Sequence, residues 1–216
     1  MFMFFVMMIL NFAISWMNAR SAGRIWSESK AVGGMLRAHA IGAYALSILG
    51  FTMVYGTLLV MMLPTLLPMF TEMSPDDMWT TTQLASDMLF ILTAAFIIPL
   101  GYFAWFTSFV SFWRRRSLMG GLNLAWNTFA NIRNTMVVAR HAPSAMRRIS
   151  ETLFKGKKDG RAMIAMVAIF AIILAIIGGW LTASAIMHRA DEKHDFFEGM
   201  HCKDDPNWHR SGQQGI

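Results

Sequence analysis

The chain has 216 residues, 55% hydrophobic and only 15% charged, with 19 Lys and Arg against 13 Asp and Glu for a net charge of +6. Soluble domains carry about 25% charged residues, so the composition excludes an ordinary soluble domain, and the long apolar blocks predict an all-α, polytopic membrane protein. Nucleic acid is not the expected partner: all but four of the 19 basic residues fall in two segments, 18–37 and 114–161, that border apolar runs, as the positive-inside rule requires.

The first apolar run, 1–17, is about 25 Å long as a helix, a little short of the hydrocarbon core, and predicts the first transmembrane helix. A signal peptide is the rival reading, but the run lacks a basic leader. Residues 18–37 carry Arg20, Arg24, Lys30 and Arg37 against Glu28, which fits a headgroup-level helix or a cytoplasmic loop, with a bend at Gly33-Gly34. A second span is expected over 38–63, closed by Pro64 and Pro68. The following 71–77 stretch is acidic, as suits the non-cytoplasmic side.

Ser74-Pro75-Asp76-Asp77 reads as a helix start, with a serine cap, proline in the first turn and carboxylates over the positive end of the dipole. Continued to Trp113, that helix would be about 58 Å long, so it either projects from the bilayer or 75–83 is a separate turn before a third span at 88–112. Pro99 predicts a kink within it. Arg114, Arg115 and Arg116 form a topological stop on the cytoplasmic side.

Gly120-Gly121 is expected to break the chain before an amphipathic helix over 118–140. There Leu122, Trp126, Phe129 and Met136 would enter the acyl boundary along the cytoplasmic face, leaving Asn123, Asn127, Asn131 and Asn134 toward water or a protein. Pro143 should end it and Ser144 cap a short second helix, before a basic turn at 155–160. The last span, 162–187, has Ala171, Ala175, Gly179 and Ala183 at four-residue spacing, a small-residue ridge for helix packing within the subunit or between copies. The tail, 188–216, reads as a polar extension outside.

The predicted organisation is thus a three-span region over 1–113, a basic cytoplasmic segment of amphipathic helices over 114–161, a fourth span over 162–187 and an outer tail, with both termini non-cytoplasmic in a bacterial inner membrane. The tail collects His188, Asp191, His194, His201, Cys202 and His209, ligand types for Zn or Cu, although their spacing matches no established metal motif. Asp87 and His39 are the only ionisable side chains near a span, and they lie at its edges. No phosphate loop, nucleophile elbow or pair of catalytic acids is found, so neither an enzyme nor a cofactor is expected. The resulting expectation is a scaffold or assembly subunit of a bacterial or phage-related envelope complex. It would contact anionic phospholipid headgroups and a protein partner, or further copies of itself, through Arg114, Arg115, Arg116, Trp126, Phe129, Arg133 and Arg140. The alternatives are a small channel or carrier subunit and a metal-binding envelope protein using its His-rich tail.

Overall fold

The computed structural model describes residues 2–116, 118–154 and 161–204, and the side chains at 2, 3, 31, 32, 111, 114, 115, 119 and 197–204 lie outside that description. Within it the chain forms five helices and no strand: α1 (Phe2–Val32), α2 (Met35–Phe70), α3 (Pro75–Arg115), α4 (Leu118–Phe154) and α5 (Arg161–Asp204). Three of them, α2, α3 and α5, contain stretches long and apolar enough to cross a membrane.

The helices are longer than the local breakers predict, and the reason is tertiary. Pro64 and Pro68 do not close α2 but lie inside it on its exposed side. Each removes a ladder bond. Leu63 and Leu67 beside them are buried against Leu84 and Ala85 of α3 and Ile164 and Ala168 of α5, which holds this stretch in helix. The same correction applies to Gly120-Gly121 and Pro143, both inside α4. The break falls instead at Arg116, the C-cap of α3, in the left-handed region at φ 45°. At Gly121 an added Cβ would sit 3.3 Å from the Phe112 ring, so this glycine permits a close approach at the α3–α4 turn. Ser144 caps no second helix; its hydroxyl donates to the His141 carbonyl one turn back.

Gly33 and Gly34, at φ 66° and 57°, make the turn between α1 and α2. Ser74 caps α3, accepting from the Asp77 N–H at 3.1 Å, and α3 continues unbroken for about 60 Å with Pro99 inside it. The choice between a projecting helix and a separate turn at 75–83 is therefore resolved as one long helix.

Consecutive helices run antiparallel, so the bundle has two ends. At one lie the end of α1, the start of α2, the end of α3 with its arginines, and the polar end of α5. At the other lie the α2–α3 turn, the end of α4 and the start of α5. Two findings bear on the sidedness expected from sequence. First, α4 runs the length of α3, so residues 118–154 join opposite ends of the bundle and do not lie across one of them. Second, Lys30 and Asp195, assigned to opposite sides of the membrane by charge counting, form an ion pair at 2.7 Å. The described part of the tail therefore lies beside the end of α1, and α5 continues through 187 without interruption.

Candidate functional site

The ridge Ala171, Ala175, Gly179 and Ala183 is buried, and Gly179 lies directly on the backbone of α2 at Ile48 and Thr52. Hydroxyl pairs flank it: Tyr44 with Ser184 at 2.6 Å and Tyr55 with Thr182 at 3.0 Å. A second small-residue stripe, which the sequence reading missed, runs along α1. Ser15, Ala19, Gly23 and Ser27 are all buried at four-residue spacing, and a Cβ on Gly23 would overlap the Met187 carbonyl oxygen. This packing explains why α1 stays helical past residue 17.

Beyond that stripe α1 and α5 are joined by charge. Ser27 donates to Asp191 at 2.8 Å, Lys30 donates to Asp195 at 2.7 Å and lies 3.5 Å from Asp191, and His194 faces Glu28 at 3.8 Å. Of the residues proposed from sequence as metal ligands, Asp191 and His194 are thus engaged with α1, and His188 is exposed. His209 and the side chains of His201 and Cys202 lie outside the described residues. Among the described residues no three His, Cys, Asp or Glu are grouped so that they could hold a metal ion. The hydrogen bond that Lys30 donates to Asp195, then the nearby charge of Asp191, raises the Lys30 pKa above its ordinary value. A raised pKa places this contribution at full strength below the ordinary lysine range and removes it as pH climbs through the raised value. The Lys30 contribution to the α1–α5 junction is therefore expected to be constant around neutral pH and to be lost under alkaline conditions. Hydrogen exchange at residues 24–30 checks this, and Lys30→Met should abolish the alkaline transition.

The most distinctive surface is the α3–α4 pair. Asn123 and Asn127 both donate to the Ser108 hydroxyl, at 3.1 and 2.8 Å, and buried Asn131 donates to the Gly101 carbonyl at 2.8 Å. Trp105 donates to Thr128 at 2.9 Å. Farther along, Arg148 grips Asp87 with two parallel bonds of 2.7 Å. Asp87 is 8% exposed and His39 bonds Thr107 at 3.2 Å, so the two ionisable groups at the span edges both link neighbouring helices. Replacing Asn131 with Leu should weaken the α3–α4 contact by about 1 kcal/mol, the scale of one interhelical hydrogen bond in a membrane, measured by unfolding in mixed detergent.

With Asn123, Asn127 and Asn131 bonded to α3, α4 turns its large apolar side chains outward. Leu122, Trp126, Phe129 and Met136 are 59%, 59%, 60% and 66% exposed. This changes part of the sequence expectation: Asn127 and Asn131 turn to α3 rather than to water, and Asn123, although exposed, also bonds α3, because Ser108 and the Gly101 carbonyl offer partners there. Arg133 and Arg140 share the outer side, as does Arg116 at the turn. The side chains of Arg114 and Arg115 lie outside the described residues. The Asn131–Gly101 and Arg148–Asp87 bonds bracket this stretch, so Arg133 and Arg140 lie alongside the apolar 88–100 portion of α3. Near its other end α4 borders an open apolar groove of ≈ 370 Å³ between α3, α4 and α5, lined by Met88, Leu92, Met146, Ile149, Ile169 and Ile173 among others. No family model matches the chain, and neither a curated protein nor a solved structure shows significant similarity to it.

Proposed function

We propose that this protein is a multi-pass membrane scaffold or assembly subunit whose working surface is the outer side of α4. In this reading α1, α2, α3 and α5 cross the bilayer with the arginine end in the cytoplasm, and α4 crosses beside α3. The observation that carries it is the inverted amphipathicity of α4: polar side chains are satisfied on α3, and large apolar ones are presented outward. A membrane helix is stable with asparagines when a neighbouring helix supplies their partners, and that is what Ser108 and Gly101 do. The pairing of Asp87 with Arg148 supports the same reading over a channel, since this carboxylate is held by a neighbouring helix and is not left facing a polar path.

Cysteine accessibility tests the placement. With Cys202 replaced by Ser, cysteines at 126, 133 and 140 should resist a membrane-impermeant maleimide from either side, while cysteines at 118 and 154 should react from opposite sides. Free labelling at 133 and 140 would place α4 outside the bilayer and sink the proposal. Proteoliposomes provide the second arm: ion or solute flux above empty vesicles would favour the channel.

A further inference from the structure

Along the outer side of α4, Leu122, Trp126, Phe129, Arg133, Met136, Arg140, Pro143 and Arg147 follow one another at alternating steps of four and three. That 3.5-residue period is the seam by which one helix receives another along its length. Every member of the seam is exposed. Its first part offers the large anchors that dominate helix-in-groove contacts, and its later part offers cations seven residues apart.

We propose that this seam seats a membrane-embedded helix of another protein, apolar toward α4 and carrying carboxylates spaced seven residues apart to meet Arg133 and Arg140. The inference rests on the reading of α4 as a helix within the bilayer. Lipid is a poor occupant, because guanidinium groups alongside the 88–100 stretch of α3 would lie at hydrocarbon depth, where an unpaired charge is strongly disfavoured. A second copy is also poor, because a two-fold contact through this stripe sets Arg133, Arg140 and Arg147 against the same arginines. Arg147 already has Glu151 at 3.6 Å, whereas among the described residues no carboxylate lies within ion-pair reach of Arg133 or Arg140. A carboxylate on the facing helix would satisfy each guanidinium with two parallel hydrogen bonds, the geometry Arg favours.

The test uses the full-length protein in neutral phosphatidylcholine vesicles and, as probe, a labelled membrane-spanning Leu/Ala peptide with two Glu seven residues apart, binding being read by energy transfer. Saturable binding is expected, weakened about tenfold by Glu→Gln in the peptide or by Arg133→Gln with Arg140→Gln in the protein. A Lys-bearing peptide should bind the Arg133→Glu, Arg140→Glu protein and not the native one. This charge swap keeps the test decisive if the double glutamine variant does not fold. Equal binding of Glu, Gln and Lys peptides, or no binding of any, overturns the proposal. So does, in matched vesicles that also contain phosphatidylglycerol, loss of bound phosphatidylglycerol on Arg133→Gln with Arg140→Gln while peptide binding is unchanged, which would make the face a lipid surface, or crosslinking between copies through a cysteine at 129, which would make it a self-contact. If maleimide labelling shows α4 embedded while peptide binding lacks charge dependence, only the partner assignment fails. If α4 labels freely, the scaffold reading fails with it.

Discussion

Replacing Asp87 with alanine is expected to cost about 2–3 kcal/mol of stability and to free the second half of α4 from α3. Arg148 meets both carboxylate oxygens at 2.7 Å, and the Asp87 side chain is 10% exposed, so truncation leaves a guanidinium without a partner against an apolar wall. The expected cost is set below the roughly 3–5 kcal/mol of a fully buried pair because the Arg148 side chain is 41% exposed and water or headgroups can take up part of its charge. Removing both partners, Asp87→Ala with Arg148→Met, should recover most of the loss, since no stranded charge remains. A double-mutant cycle on unfolding in mixed detergent reads the difference. Additive single effects, each under about 0.5 kcal/mol, would show that the clasp contributes nothing.

The elements most legible in the sequence were those fixed by composition and by local backbone chemistry. Apolar runs marked α2, α3 and α5, and Ser74-Pro75-Asp76-Asp77 marked a helix start because a hydroxyl, a proline and two carboxylates all satisfy needs within one turn. The breaks were less legible. Pro64, Pro68, Gly120, Gly121 and Pro143 all argue locally for an end of helix, yet in each case the helix continues. Whether a proline ends a helix depends on what else could satisfy the backbone there. For a stretch whose leucines are buried against two other helices, the alternatives to helix are worse.

The periodicity of α4 was legible, but its direction was not. A stripe of asparagines opposite a stripe of Leu, Trp and Phe says only that the helix has two different sides. Which one turns inward depends on atoms belonging to α3, the Ser108 hydroxyl and the Gly101 carbonyl, and nothing in 118–140 names them. Sidedness is hard to read from sequence for a related reason. Counting charges over 114–161 assumes that the segment stays at one end, whereas α4 carries it from one end to the other. The buried stripe of α1 was hidden because Ser15, Ala19, Gly23 and Ser27 straddle the apparent boundary at residue 17, so neither half shows the pattern alone.

Gly179→Val is expected to separate α5 from α2 and to be the most damaging single substitution in the ridge. An added Cβ would sit 2.6 Å from the Thr52 hydroxyl, 2.8 Å from the Thr52 amide nitrogen and 3.0 Å from the Ile48 carbonyl oxygen. Two of these three atoms are backbone, so relief requires α2 itself to move, and any such movement also strains the Tyr44–Ser184 and Tyr55–Thr182 hydrogen bonds on either side. Even Gly179→Ala should cost about 2–3 kcal/mol, toward the upper end of overpacking penalties, and the two further methyl groups of valine should add to that. Gly178 supplies the internal control: its added Cβ would meet only the Tyr55 ring at 3.3 Å, a side chain that can shift by a few tenths of an ångström. Gly178→Ala should therefore be nearly neutral, because alanine is the better helix former and offsets a mild contact. The comparison is made by unfolding in mixed detergent, together with the yield of a disulfide between cysteines placed at 55 and 182. Equal stability of the two alanine variants would mean that α2 and α5 do not approach at Gly179, and the packing of the bundle around α2 would have to be redrawn.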